Sequence, residues 1–149
     1  MRILLVLVAL TLPGLAGEAF VVRGAKAQAV IVAQTPRQFA ALELRRYVEI
    51  ISGVRLEIVA PDALRAGMLN IAVGGETFRK LAPIDGLKKD GFVLWRTKSG
   101  ANELLIAAGN DDAATLYAVY DLIERFGVTF LVTKDILPER SSELRAPDV

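Results

Sequence analysis

The sequence predicts an α+β domain of two layers, a mixed and mostly antiparallel sheet covered on one face by two main helices. Three observations predict it. Two stretches place apolar residues at helical spacing, the other apolar runs are short, and most of those runs flank hairpin-type turns instead of alternating with helices. The chain has 149 residues, the length of one domain and enough to bury roughly two thirds of its unfolded surface without disulfide or metal staples.

Residues 1–16 read as a leader to be excluded from the fold. Arg2 supplies one positive charge, an apolar run follows from Ile3 to Leu12, and Pro13 and Gly14 turn the chain before the small residues Ala16 and Gly17. That order is the pattern of a secretory signal peptide cut after Ala16. The apolar run is about half the ~20 residues a bilayer-spanning helix needs, so no stable membrane anchor is expected. Loss of Arg2 leaves 17 basic and 17 acidic side chains, a formally neutral mature chain bound for the periplasm or the exterior.

The elements of the domain, 20–136, then follow in order. Residues 20–22 and 29–33 read as strands with Gly24, Ala25 and Lys26 turning between them. Thr35 can cap a helix, Pro36 suits its first position and Gln38 completes a capping box. Ala40, Leu44, Tyr47, Val48 and Ile51 form one apolar face of that helix, with Glu43 and Glu49 in solvent, and Ser52-Gly53 ends it. Residues 54–59 and 69–73 are further strands, the second closed by Gly74-Gly75 and followed by a short helical turn over 76–81. Residues 92–97 and 103–108 read as a hairpin joined by Ser99, Gly100, Ala101 and Asn102, a loop longer than the two-residue optimum. Asn110, Asp111 and Asp112 start the second helix. Leu116, Val119, Tyr120 and Ile123 supply its buried stripe with Tyr117 nearby, Asp121 can pair with Arg125, and Gly127 stops it. A last apolar run covers 128–132. The polar, Pro-bearing stretch 137–149 reads as a linker toward a downstream domain.

Composition excludes much chemistry. The chain has no His and no Cys, which removes Ser-His-Asp and Cys-His triads, thiolate and imidazole zinc sites, iron–sulfur clusters and covalent haem attachment. No metal and no cofactor is expected. A net charge of +1 offers no basic footprint for nucleic acid.

Two segments carry a family resemblance. The stretch 40–58 contains Ala40-Ala41, Glu43-Leu44, Tyr47-Val48 and Ile51-Ser52-Gly53. The second segment joins Asp90-Gly91-Phe92 and Leu105-Ile106 to the run Ala114-Thr115-Leu116-Tyr117-Ala118-Val119-Tyr120-Asp121 and Gly127-Val128. Together they resemble the non-catalytic N-terminal domain that precedes the (β/α)8 barrel in α-glucuronidases and β-N-acetylhexosaminidases. The resemblance covers about 30–138. It departs at Ala114, where the family usually has Gly, and at Phe130-Leu131-Val132-Thr133, which replace an aromatic-rich exit. It implies an accessory domain that packs against a catalytic barrel in carbohydrate degradation. In such families the catalytic carboxylates lie on the barrel, and no residue here matches a catalytic motif.

The candidate site residues are weighed on their own chemistry. Glycoside hydrolysis needs two carboxyl groups about 5–10 Å apart. Asp111 and Asp112, adjacent at a helix start, fit capping better than catalysis. Gly74, Gly75, Glu76 and Thr77 form a strand-to-helix turn that lacks the Lys and spacing of a phosphate loop. Trp95, the single Trp, is a contact for a glycan or a domain interface, or a core residue. A free-standing secreted domain that binds polysaccharide or a protein partner is the alternative function.

Overall fold

The computed structural model describes residues 17–35 and 38–149; the leader 1–16 and the expected first-turn Pro36 lie outside the described residues. In chain order the elements are β1 (Phe20–Arg23), β2 (Lys26–Ala27), β3 (Ala29–Val32), α1 (Phe39–Ser52), β4 (Ile58–Val59), β5 (Leu69–Val73), a 3₁₀ turn (Arg79–Leu81), β6 (Phe92–Ser99), β7 (Asn102–Gly109), α2 (Asp112–Arg125), β8 (Thr129–Phe130), β9 (Asp135–Ile136) and β10 (Leu144–Arg145). The α+β class and the two main helices stand as expected.

The main sheet has five strands in the order β4-β3-β5-β7-β6. It is mixed, but the expectation of mostly antiparallel pairing is corrected there. β3 pairs in parallel with β4 and β5, and β5 with β7; only β6 and β7 run antiparallel. The turn at Pro61-Asp62 opens a crossover into β5, parallel to β4. Gly74-Gly75 instead opens a connection across the sheet into β6, which runs opposite to β5, and the β6–β7 hairpin then brings β7 back parallel to β5. The hairpin does have a two-residue loop, Gly100-Ala101, because Ser99 and Asn102 pair directly and Gly100 takes a φ of 60°.

Central parallel strands must be covered on both faces, and here they are. Ala29, Ile31, Leu69, Ile71, Leu105 and Ala107 face α1 and α2, meeting Leu44, Val48, Ala118, Val119 and Leu122. Their neighbours Val30, Val32, Ala72, Leu104, Ile106 and Ala108 face the other way onto Phe78 and Ile84 of the connection between β5 and β6. Asn70, fully buried, fastens the connection between β4 and β5 to the start of β7. Its Oδ1 accepts from the Arg65 N–H at 2.8 Å, and its Nδ2 donates to the carbonyls of Arg65, Met68 and Glu103.

Helix α1 begins one turn later than Thr35-Pro36 suggest, with Gln38 at the cap position and no side-chain cap. Gly53 ends it in the left-handed region at φ 77°, as expected. In α2 the Asp111 carboxylate accepts from the Ala114 N–H at 2.7 Å, and Arg125 pairs with Asp121 at 2.9 Å. The buried stripe of α2 is rotated from the expected one. Ala114, Thr115, Ala118, Val119, Leu122 and Ile123 are buried, Leu116 and Tyr120 are partly so, and Tyr117 is exposed. Small residues face the sheet because α2 sits close: a Cβ on Gly109 would lie 2.3 Å from that of Ala114.

Three further expectations change. The strand over 54–59 shrinks to β4, two residues pairing with the end of β3. Gly24-Ala25 turns β1 into β2, a separate small sheet, instead of into β3. The stretch 137–149 is a fold element: β10 pairs with β1, Leu144 is buried, and the Ser141 N–H donates to Ile51 O at 3.0 Å. Its turn-like composition hid a strand of only two residues.

Tyr47, Phe130 and Tyr120 form a cluster that fastens the β8–β9 hairpin to the helices. Phe130 meets both Tyr rings edge-on, at centroid distances of 5.5 and 5.0 Å. The Tyr47 hydroxyl donates to Asp135 and that of Tyr120 to Glu43 at 3.1 Å. Glu43 is therefore largely covered, with a side-chain exposure of 13%, where the sequence suggested a solvated residue. Burial, then the bond to Asp135, pushes the Tyr47 hydroxyl up to about 12. A raised folded-state pKa means that the stabilising contribution is complete below the unfolded value near 10. It is lost as pH rises through about 12. Thermal melts from pH 9 to pH 12 should therefore show a loss of stability above pH 10 that is smaller in Tyr47→Phe. At neutral pH the same variant should be less stable by about 1–2 kcal/mol.

Candidate functional site

The parallel strands of the main sheet end together on one edge, and a cleft opens there. β3 sends its chain through α1 to β4 on one side, whereas β5 sends its chain to β6 and β7 on the other. Adjacent strands whose connections leave in opposite directions leave a crevice at their carboxyl ends. The cavity has a volume of about 570 Å³. Its floor comes from the strand ends Val32 and Ala33, Val73 with Gly74 and Gly75, and Gly109. The first turns of α1 and α2 form its walls.

Backbone requirements explain the glycines. Gly74 turns at φ 96° directly after β5, a conformation that favours Gly. Gly109 lets α2 start against the sheet, and its N–H donates to the buried Thr115 hydroxyl at 3.1 Å. Asn110 donates to the carbonyls of Leu87 and Lys88 at 2.6 and 2.7 Å, tying the outer layer to the start of α2. Gln38 donates through Nε2 to Val73 O at 3.4 Å, while its Oε1 is enclosed and has no partner among the described residues. Gln34 donates to the Thr77 hydroxyl across the mouth. Phe39 projects at the rim, 60% exposed.

The electrostatics are acceptor-rich. Among the described residues the lining holds three carboxylates, Glu76, Asp111 and Asp112, and no cationic side chain. Two of them are already engaged, since Asp111 caps α2 and Glu76 lies 3.8 Å from the Arg79 guanidinium. Among the described residues no group of three or more His, Cys, Asp or Glu is placed to hold a metal ion. The arrangement can hydrogen-bond a ligand in both senses, through the uncapped amides of α1 and through the carboxylates and Gln38 Oε1.

The sequence-derived candidates divide. Gly74, Gly75, Glu76, Thr77, Asp111 and Asp112 come together in this cleft. Trp95 lies outside it, on edge strand β6 opposite Ile106, on the sheet face away from the helices and 43% exposed. Sequence reasoning missed Gln34, Gln38, Phe39, Asn110 and Thr115. The available signal was positional, since each follows a parallel strand or opens a helix, and it required the strand sense to be known.

With the fold and cleft described, comparison with known families gives a match. The model for the Glycosyl hydrolase family 67 N-terminus matches residues 17–122. The matched stretch contains β1 to β7 and most of α2, and the chain belongs to this family. It is consistent with a non-catalytic N-terminal domain of α-glucuronidase-like hydrolases. A search of curated proteins finds no match.

The capping role of Asp111 is separable from any role of its neighbour. Asp111→Ala should destabilise the domain by about 1 kcal/mol in urea denaturation, whereas Asp112→Ala should change stability by less than about 0.5 kcal/mol.

Proposed function

We propose that the chain is the accessory domain of an exported glycoside hydrolase and packs against a catalytic (β/α)8 barrel. Family membership supports association with a glycoside hydrolase and a catalytic partner in cis. The observation that carries the packing is the β8–β9 hairpin and its exit. The sheet's two faces are already covered, yet Leu131, Val132, Ile136 and Leu137 stand 47%, 106%, 48% and 44% exposed. Clustered exposed apolar side chains mark an interaction surface. The Tyr47–Phe130–Tyr120 contacts hold this one against the helices, so that docking costs little ordering. In this reading the domain contributes position, and the catalytic carboxylates belong to the barrel.

Trp95 and Phe92, 43% and 37% exposed, are further apolar positions on opposite faces of β6. They test which surface docks. A purified α-glucuronidase-type barrel lacking its own N-terminal domain should bind the intact chain in calorimetric titration. Val132→Asp combined with Leu131→Asp should weaken that binding at least about 100-fold, with fold stability changed by less than about 0.5 kcal/mol. Trp95→Ala should leave it within about threefold. Loss of binding in Trp95→Ala and not in the hairpin variant would move the interface to β6.

Export rests on the leader. The order of Arg2, the apolar run and the small residues supports it. Expression of the full sequence in a secreting bacterial host should yield a mature chain beginning at Gly17; retention of Met1 on exported protein would contradict the reading.

A further inference from the structure

We propose that residues 146–149 are a strap over the open edge of β6, and that its release lets β6 pair antiparallel with β6 of a second copy of this chain. The inference goes beyond the accessory role and does not depend on it. β6 is an outer strand of the main sheet, eight residues long, and its register with β7 runs from Phe92 to Ser99 without a bulge. It contains no Pro. A long, regular edge offers its outward N–H and C=O groups to another strand unless something covers them. In an antiparallel ladder, successive residues turn these groups alternately toward and away from the paired strand. The Arg96 N–H points outward, to Val149 O, so those of Phe92, Leu94 and Lys98 point outward too. Among the described residues, the bond to Val149 O is the one backbone hydrogen bond on that outer side.

The strap is held firmly at its root and loosely at its tip. At the root β10 pairs with β1, Leu144 is buried, and the Ala146 N–H donates to Ala19 O at 2.8 Å. At the tip the bond from Arg96 to Val149 O is 3.4 Å long, beyond the usual range for N–H···O. Asp148 Oδ1 lies 3.7 Å from Arg96 Nη1 and Glu103 Oε2 lies 3.9 Å from Nη2, both too far for hydrogen bonds. Arg96 Nη1 is enclosed and has no hydrogen-bond partner among the described residues. A contact made this loosely opens at little cost.

The edge beneath is self-complementary. Side chains two apart on a strand share a face, so Phe92 and Leu94 lie at one end of that face and Arg96 and Lys98 at the other. Two copies running antiparallel around Trp95 set Leu94 opposite Arg96 and Phe92 opposite Lys98. That register keeps the cations apart, joins the outward backbone groups and brings the exposed Trp95 side chains together on the other face. In-register parallel pairing would instead set cation beside cation.

The test compares the full chain with the double variant Asp148→Lys and Val149→Gly, changes confined to the strap tip, by sedimentation equilibrium and amide hydrogen exchange. In the unaltered chain the Arg96 amide should exchange at least about tenfold more slowly than those of Leu94 and Lys98, relative to their intrinsic rates. The double variant should lose that protection when dilute and dimerise with an apparent Kd at least about tenfold lower than that of the unaltered chain. In the dimer the Leu94, Arg96 and Lys98 amides should all be protected. Adding Phe92→Lys, at an exposed position, sets Lys against Lys98 of the second copy and should restore the Kd of the unaltered chain. An Arg96 amide as fast as its neighbours, or a double variant that associates no more than the unaltered chain, would overturn the proposal. So would association abolished by Leu131→Asp and not by Phe92→Lys, or assembly beyond a dimer. Protection of these edge amides by a catalytic barrel would assign the edge to that partner and overturn the proposal as well. Docking through the hairpin is read at residues 129–137 and is independent of these results.

Discussion

Everything else in this fold depends on the burial of β3, β5 and β7 on both faces. Parallel strands leave no face for water, so the alternating side chains of one short segment must satisfy two cores at once. Ile31 and Ile71 pack under the helices while Val30, Val32 and Ala72 pack under the β5–β6 connection. That demand makes the outer layer necessary, although its only regular element among the described residues is a 3₁₀ turn. The same demand aligns the three strand ends, and the cleft exists because of that alignment.

How much of this was legible in the sequence follows from the range of the interactions. Helix periodicity and caps are local, so the buried face of α1 around Leu44 and Val48, the stop at Gly53 and the Asp111 cap could all be read. Strand positions at 69–73 and around the hairpin were also local. Strand sense was not. A continuous apolar run such as Leu69–Val73 suits either a parallel or a buried antiparallel strand, and the turn residues after it gave no measure of how far the chain travelled before returning. The buried stripe of α2 moved off Leu116 and Tyr120 for a similar reason. Its close approach at Gly109 selects Ala114 and Ala118, and closeness to a sheet is a tertiary fact.

The cleft was half visible. Its carboxylates and glycines attracted notice one by one, as a cap and a tight turn, and those local roles are real. What no local pattern could show is that two turns and two helix starts, spread along the chain from Gln34 to Asp112, share one edge. Trp95 shows the converse. A lone aromatic draws attention in a sequence, and the fold sets it on an edge strand away from the cleft.

Two surfaces thus divide the functional account. The cleft belongs to the parallel sheet, and the apolar hairpin belongs to the aromatic cluster that holds Phe130 between Tyr47 and Tyr120. Family membership places the chain beside glycoside hydrolases, and the hairpin is the surface with which it would meet one. Amide hydrogen exchange of the chain with and without a catalytic barrel tests this most directly. The account predicts slowed exchange across 129–137, with the strands of the main sheet unchanged. Unaltered exchange across the hairpin at saturating barrel would contradict it.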